Sequence, residues 1–222
     1  MTGRGAQLPL DLHHRPAMGR EDFLVSPSNA EAVRWVDLWP DWPGPAVVLV
    51  GPPGSGKTHL AQVWRARTGA AVFVGVAVEE AAAPGAAVVV DDVDRRTDDE
   101  ALFHLYNALN SAGGHVLFTA NVPPARWAGR LRDLVSRLSA APNVRIQAPD
   151  EPLIAAVMAK MFADRQLSVA PEVLSFLVAR MERSFAEARS LVAALDAASL
   201  SAKRAVTLPL ARDVLAARGQ EI

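Results

Sequence analysis

The stretch AVVLVGPPGSGKTHL, residues 46–60, decides the fold because it joins an apolar run to a glycine-rich loop and the start of a helix. Residues 46–50 are a continuous apolar run rich in β-branched valine, which is typical of a strand buried on both faces of a parallel sheet. Residues 51–58, GPPGSGKT, match the pattern G-x-x-x-x-G-K-[ST] at every fixed position. The order of strand, loop and helix is the context in which this pattern binds nucleotide phosphates.

We call residues 51–58 the phosphate loop, and its residue types explain the expected chemistry. Glycines permit backbone angles that direct successive N–H groups to one point at a helix N-terminus, where an anion is favoured. Lys57 is expected to reach the β- and γ-phosphates, and the Thr58 hydroxyl is expected to ligate Mg²⁺. The alternative is a tight Gly/Pro turn in a sheet that binds nothing, and the complete match favours nucleotide binding.

A second acidic motif, VVVDDVD at residues 88–94, ends another apolar run. Asp91 is predicted to hold Mg²⁺ directly or through water, and Asp92 to orient an attacking water. Alone, the motif is better explained as an acidic turn before a surface helix, but its pairing with the phosphate loop favours the metal site. The charged segment that continues through residues 94–100 is interpreted as solvated.

Alternation of strand and helix patterns predicts an α/β core with a parallel sheet flanked by helices. Further strands are expected within residues 70–76, 86–92 and 114–120. A helix over about residues 28–39 would be capped by Ser26 or Ser28, and the helix before the last strand by a Thr97–Glu100 capping box.

The pattern changes near residue 149, after which only helical segments are predicted. They cover about residues 151–164, 171–181, 184–201 and 209–218, with Pro171 in a first turn and Ser184 to Glu187 as a capping box. The sequence therefore predicts three parts: a flexible tail at 1–22, an α/β nucleotide-binding domain at 23–149 and a helical lid subdomain at 150–222.

Composition narrows the class of protein. The 222 residues carry a formal net charge of -1 and include no cysteine. Absence of cysteine excludes disulfides and thiolate metal sites, and the charge gives no overall attraction to nucleic acid. No apolar run reaches the length of a membrane span, and no secretory signal is present. We expect a cytoplasmic globular protein without a membrane partner.

Four segments resemble AAA+ proteins of the DnaA/Hda family, and the resemblance covers about residues 20–218. They are REDFLVSPSNAEAV at 20–33, LFHLYNALNSAG at 102–113, VLFTAN at 116–121 and LVSRL at 134–138. The resemblance implies that Asn121 is the polar sensor at a strand end and that Arg137 is an arginine finger. The alternative for Arg137 is one of several solvated arginines, together with Arg130 and Arg132.

The same resemblance implies a nucleotide site for ADP or ATP with Mg²⁺, in which an N-terminal segment flanks the adenine and the lid contributes an arginine. Ala186 stands where that arginine is expected, and Arg183 and Arg189 are its helical neighbours. The implied cofactor-binding residues are Phe23, Leu24, Val25, Pro52, Pro53, Gly54, Ser55, Gly56, Lys57, Thr58, His59 and Arg189.

Residues 7–12, QLPLDL, are similar to the sliding-clamp-binding peptide found in this family. Gln7 would hydrogen-bond in a polar notch while Leu10 and Leu12 enter an apolar cleft, assisted by Leu8. Asp11 would stay at the rim, and Pro9 would limit the freedom of the unbound chain. A frayed terminus is the alternative, and the position of the peptide ahead of this module favours clamp binding.

The family resemblance implies a regulator that binds the sliding clamp and stimulates ATP hydrolysis by the initiator DnaA, an activator more than a turnover enzyme. Direct sequence-specific DNA binding is not expected, because residues 203–222 are too few for the initiator's DNA-binding domain. Two alternatives remain, an autonomous ATPase of helicase-loader or clamp-loader type and a non-catalytic clamp-bound adaptor. Homo-oligomerisation is left open.

Overall fold

A parallel sheet forms the centre of the molecule. The computed structural model describes residues 23–73, 83–96 and 98–219, so the predicted clamp peptide and Thr97 lie outside the described residues. Within them the strand order is β2-β3-β4-β1-β5, and all pairs are parallel. The strands are β1 Ala46–Val50, β2 Ala71–Val72, β3 Ala87–Val90, β4 His115–Ala120 and β5 Asn143–Arg145.

The central strands are buried on both faces, as the continuous apolar runs predict. Val48 and Val50 of β1 belong to one hydrophobic cluster, and Val47 and Leu49 belong to the cluster on the opposite face. The helices of this part are α1 Ala30–Leu38, α2 Lys57–Thr68, α3 Asp99–Ala112 and α4 Arg132–Ala140. Burial on two faces needs a helix layer on each side, which confirms the predicted α/β architecture.

A helical bundle follows the last described strand. Its helices are α5 Glu151–Asp164, α6 Pro171–Val178, α7 Phe185–Ala202 and α8 Leu208–Ala217. They share one hydrophobic cluster around Phe162, Leu177 and Leu195. Side chains cap two of them, since Asp150 accepts the Leu153 N–H at 2.9 Å and Ser184 accepts the Glu187 N–H at 3.1 Å. We call this bundle the lid.

Two of the predicted helix caps are wrong. Helix α1 begins at Ala30, its cap position is Asn29, and no side chain caps it. Ser26 and Ser28 precede that position, and their hydroxyls lie 2.7 Å apart and bond to each other. At the start of α3 the carboxylate of Asp98 accepts the Ala101 N–H at 3.0 Å. An aspartate at that position supplies the acceptor that the prediction assigned to Thr97.

Strand β5 and the tryptophan packing are features that the sequence did not predict in detail. Strand β5 has three residues, of which only Val144 is buried, so it carries too little apolar pattern to be recognised. Trp42 and Trp64 stack with ring centroids 5.3 Å apart, within the cluster between α1, α2 and the sheet. Among the described helices, none has both the length and the apolar character needed to cross a bilayer.

Candidate nucleotide-binding site

The phosphate loop connects the end of β1 to the start of α2 in a conformation that only glycine adopts easily. Gly54 and Gly56 have φ angles of 72° and 98°. Helix α2 begins at Lys57 without a side-chain cap. The first N–H groups of a helix lack acceptors within it, so this end of α2 is suited to bind an anion such as a phosphate.

Lys57 is held inside the loop. Its side chain is 5% exposed, and its ammonium group donates to the carbonyl oxygens of Gly51 at 2.8 Å and Pro52 at 2.9 Å. It also donates to Oδ1 of Asn121 at 3.2 Å. Burial lowers the pKa of Lys57 below its ordinary value, and the charges of nearby aspartates, Asp92 foremost, oppose that shift. The ammonium group therefore lies where the loop would receive a phosphate.

Thr58 and Asp91 meet beside the loop, although 33 positions separate them. The Thr58 hydroxyl lies 3.1 and 3.0 Å from the two carboxylate oxygens of Asp91. Thr119, a buried residue of β4, also donates to Asp91 and accepts the Asp92 N–H at 2.9 Å. A carboxylate and a hydroxyl oxygen at this point fit Mg²⁺, which is bound in proteins by one or two carboxylates together with phosphate and water.

The protein donors at this position are too few to hold a metal ion without a further ligand. Among the residues that the structure describes, no group of three or more His, Cys, Asp or Glu side chains is placed to hold a metal ion. A Mg²⁺ ion that shares its coordination with nucleotide phosphates needs no such group. Thr58 and Asp91 are therefore suited to a nucleotide-dependent magnesium site and unsuited to an all-protein metal site.

Asp94 holds the polar residue at the end of β4. One carboxylate oxygen of Asp94 accepts the backbone N–H of Asn121 at 2.9 Å. The other lies 3.5 Å from Nδ2 of the Asn121 side chain. Asn121 in turn accepts from Lys57, so Asp94, Asn121 and Lys57 form one hydrogen-bonded series. Sequence reasoning missed Asp94, and the third carboxylate of the DDVD motif was its only signal.

The interpretation of residues 94–100 as a solvated segment is wrong for several members. Besides Asp94, Arg96 donates through Nε to the Asp91 carbonyl oxygen at 3.0 Å. Asp99 forms an ion pair with Arg130 in which both side chains are mostly buried. These charged side chains are partly buried, and each has partners, which is the condition for burying an ionised group.

The segment expected to flank the adenine lies next to α2. The ring of Phe23 stacks on His59 with centroids 5.5 Å apart and an interplanar angle of 14°. Leu24 is 37% exposed and Val25 is 51% exposed, while the Asn29 amide donates to the Leu24 carbonyl oxygen at 3.0 Å. This apolar surface beside the phosphate loop is chemically suited to a base.

The lid touches the phosphate loop through the start of α7. The Phe185 N–H donates to the Gly54 carbonyl oxygen at 2.9 Å. A Cβ on Gly54 would lie 2.6 Å from Cβ of Ser184, and one on Gly56 would lie 3.1 Å from the Phe185 ring. These glycines therefore also allow the lid to approach, a second role that sequence reasoning missed.

The predicted lid arginines are not drawn into this contact. Arg183 forms an exposed ion pair with Glu151 of α5. Arg189 and Ala186 are exposed residues of α7. In the described structure the lid therefore meets the phosphate loop through backbone and an aromatic ring, and the predicted role of Arg189 stays a prediction.

Arg137 lies in the last turn of α4 and is exposed. Its guanidinium group contacts α3, where it lies 5.2 Å from the ring centroid of Phe103 and 5.5 Å from that of Tyr106. Among the described residues, no carboxylate forms an ion pair with Arg137, in contrast to Arg130. Of the predicted catalytic residues, Asn121 lies at the phosphate loop and Arg137 is presented to the outside.

A phosphate loop after β1, acidic residues after β3, a polar residue after β4 and a helical lid define the AAA+ class of nucleoside-triphosphate-binding folds. The computed structure matches domain III of the initiator DnaA from Thermotoga maritima with a TM-score of 0.78, at 20% identity, over 90% of this chain and 96% of that one. It matches AMPPCP-bound DnaA from Aquifex aeolicus with a TM-score of 0.66, at 18% identity, over 82% and 65%.

Comparison of sequences also finds DnaA, and a family model matches the helical part of the chain. Residues 151–215 match the family model described as "Hda, lid domain". The chain is 28% identical over 213 residues to the chromosomal replication initiator protein DnaA of Caulobacter vibrioides, covering 80% of this chain and 44% of that protein. The chain thus spans less than half the length of this relative. The chain is therefore similar in fold and sequence to AAA+ proteins of the DnaA/Hda type.

Proposed function

We propose that this protein binds an adenine nucleotide and restrains replication initiation in the cytoplasm by stimulating ATP hydrolysis on DnaA. In this proposal the chemistry takes place in the nucleotide site of DnaA. This chain supplies a cation to that site, and a clamp-binding peptide keeps the chain close to DNA-bound DnaA.

The observation that carries the proposal is that Arg137 is exposed and has no ion-pair partner among the described residues. Its guanidinium group is exposed, lies over two aromatic rings and has no carboxylate partner among the described residues. A finger supplied to another protein must present its charge unpaired, and such fingers raise phosphoryl-transfer rates by about 10³–10⁵. We therefore assign Arg137 as the residue that would stabilise charge developing on the transferred phosphoryl group.

The chain's own nucleotide site would hold ADP or ATP. The N–H groups at the start of α2 and the Lys57 ammonium group would bind phosphates, while Phe23, Leu24, Val25 and His59 would flank the base. Thr58 and Asp91 would hold Mg²⁺, which neutralises phosphate charge when it is bound. Arg189 would approach the nucleotide from the lid. The AMPPCP-bound A. aeolicus DnaA, which shares the fold, supports an adenine nucleotide as the ligand.

Residues 7–12 would dock this protein on the sliding clamp. The peptide carries Gln7 followed by spaced leucines, and it precedes an AAA+ module. Holding this protein on a clamp loaded on DNA raises its effective concentration near DnaA on the same DNA, without any new contact between the two proteins. Clamp attachment would thus concentrate Arg137 near DnaA that is bound to DNA.

The test follows DnaA-bound ATP over time in the presence of clamp loaded on DNA. Wild-type protein should accelerate hydrolysis, and Arg137→Ala should abolish the acceleration while leaving nucleotide binding by this chain intact. Arg132→Ala is the matched control, because Arg132 is another exposed arginine of α4. Gln7→Ala should weaken the acceleration only when the clamp is present.

Other outcomes of this assay would favour other functions. Equal acceleration by wild type and Arg137→Ala would refute the finger assignment. Hydrolysis of ATP by this chain alone, abolished by Lys57→Ala or Asp92→Asn, would indicate an autonomous ATPase. Clamp binding without any change in DnaA-bound ATP would indicate a non-catalytic adaptor.

A further inference from the structure

A mostly buried ion pair joins the starts of α3 and α4, the two helices that position and contact Arg137. Arg130 lies two residues before α4, and Asp99 is the first residue of α3. Arg130 donates through Nε to Oδ1 of Asp99 at 2.6 Å, and a second guanidinium nitrogen pairs with the same oxygen. The two side chains are only 13% and 15% exposed.

Asp99 also supplies the acceptor at the start of α4. Its second oxygen accepts the Leu131 N–H at 2.7 Å, and Leu131 is the residue immediately before that helix. No side chain from within α4 caps this end. The position of the α4 N-terminus therefore depends on a carboxylate from α3, the same helix whose aromatic rings contact Arg137.

Arg130 extends the connection to the acidic turn of the nucleotide site. Its third guanidinium nitrogen lies 3.3 Å from the Val93 carbonyl oxygen and 3.4 Å from that of Asp94. Asp94 is the residue that holds Asn121. The guanidinium group also lies 4.8 Å from the ring of Trp127, whose indole N–H donates to the Val122 carbonyl oxygen.

The charge state of the pair is consistent with a fixed contact. Burial by itself raises the pKa of Asp99, but hydrogen bonds from Arg130 and Leu131, and the Arg130 charge, outweigh burial and hold that pKa below its ordinary value. A guanidinium group has a planar fork of donors that can serve a carboxylate and backbone carbonyls together, whereas an ammonium group is a single point charge. Lysine at position 130 would therefore keep the charge and lose the geometry.

We infer that Arg130 and Asp99 are positioning residues that fix the start of α4 and thereby the place at which Arg137 is presented. Helix α4 has only nine residues, so a shift at its start is carried to its last turn. The inference rests on the proposed function for the meaning of Arg137, but the positioning itself can be measured without DnaA.

The direct measurement is the NMR signal of the Arg137 Nε–H group, assigned through its loss in Arg137→Ala. In the wild type the rings of Phe103 and Tyr106 should displace this signal from the position of a solvated arginine. Arg130→Lys and Asp99→Asn should move it toward the solvated position, and Arg132→Ala should not. An unmoved signal in both variants would overturn the inference, whatever DnaA does.

The functional measurement is the rate of DnaA-bound ATP hydrolysis against the concentration of this protein. Arg130→Lys and Asp99→Asn should each lower the maximal stimulated rate about tenfold, since a small misplacement of a reacting group is costly. The half-saturating concentration and the affinity for ADP should stay within about twofold, because neither residue touches DnaA or nucleotide in this scheme. The double variant should be no worse than either single variant, because the two residues act as one pair.

Different outcomes separate the two proposals. A moved Arg137 signal without stimulation of DnaA by the wild type would keep the positioning role and refute the proposed function. Stimulation that requires Arg137 but is unaffected by both variants would refute the positioning role alone. A loss of ADP affinity in Arg130→Lys equal to its loss of rate would show a general structural role and would also overturn the inference.

Discussion

The α/β part and the lid place the residues predicted to bind nucleotide in different ways. In the α/β part, Asp91 and Asn121 directly follow strands and Lys57 begins the helix after β1, and all three are fixed by hydrogen bonds to one another or to their neighbours. In the lid, Arg183 and Arg189 are exposed residues of one helical region. The lid instead meets the phosphate loop through the Phe185 N–H and the Phe185 ring.

This difference shows where fixed geometry is needed. Parallel strands end at one edge of a sheet, so side chains from distant positions can be held within hydrogen-bond distance of a phosphate. The lid reaches that edge only through the start of α7, so the sheet does not fix the positions of its arginines. Among the described groups with a resolved pKa shift, Lys57, Asp99 and His115 all belong to the α/β part.

The largest effect is expected where the two parts touch. Gly54→Ala should destabilise the protein by about 1–2 kcal/mol through the left-handed backbone angle and by roughly 1–3 kcal/mol more through crowding against Ser184. Urea unfolding measures the free energy, and amide exchange of Phe185 reports the contact with the lid.

A matched control separates the two contributions to that effect. Gly85 has the same φ angle of 72°, but a Cβ there would meet nothing within 4 Å. Gly85→Ala should therefore show the backbone cost alone. Adding Ser184→Gly to Gly54→Ala should recover the crowding part, and equal costs at Gly54 and Gly85 would show that the lid contact is unimportant for stability.

The next largest effect concerns the phosphate loop. Lys57→Ala should weaken ADP binding by about 10–100-fold, since hydrogen bonds to charged groups contribute about 1.5–3 kcal/mol. Titration with a fluorescent ADP analogue measures the affinity. Lys203→Asn, in the exposed connection after α7, should leave the affinity unchanged. Unchanged affinity in Lys57→Ala would mean that the loop does not bind the phosphates.

A smaller loss is expected from the residue that holds Asn121. Asp94→Ala should weaken ADP binding by about three- to tenfold. The backbone N–H of Asn121 would lose its acceptor, and the Asn121 side chain would no longer be aligned with Lys57. Asp94→Asn keeps an acceptor oxygen for the Asn121 N–H and should retain most of the affinity. If both variants bind ADP like the wild type, Asn121 does not need Asp94.

The smallest effect is a pH dependence within the α/β part. Burial lowers the pKa of His115, whose ring contacts Trp39 and Trp42. As the pH decreases, His115 of the unfolded chain therefore takes up a proton at a higher pH than His115 of the folded chain. The free energy of unfolding then falls as the pH decreases below about 6.5. The loss is complete once the pH is below the folded pKa.

His115→Gln should remove that part of the pH dependence, measured by urea unfolding at pH 7 and pH 5.5. Tryptophan fluorescence is a suitable signal, because Trp39 and Trp42 lie against His115. His104→Gln, at an exposed position of α3, is the control. Identical pH profiles for His115→Gln and the wild type would show that His115 does not titrate in this range.

Sequence reasoning was most successful where the signal is local. The phosphate loop lies within eight consecutive residues, and the buried strands β1, β3 and β4 are continuous apolar runs. It failed for β5, which has one buried residue, and for the cap of α1, where two serines bond to each other. One buried residue is too weak a pattern to indicate a strand, and the partner of a serine hydroxyl depends on contacts that the sequence does not show.

The sequence by itself determined the phosphate loop, the α/β class and the change to a helical lid, because hydrophobic period and turn residues act over a few positions. Only the tertiary structure decided that Asp94 holds Asn121, that Asp99 serves the start of α4 and that Gly54 receives the lid. The first two contacts join residues that are 27 and 32 positions apart. The third joins the phosphate loop to the lid. Their geometry depends on strand register and helix packing, which no short stretch of sequence contains.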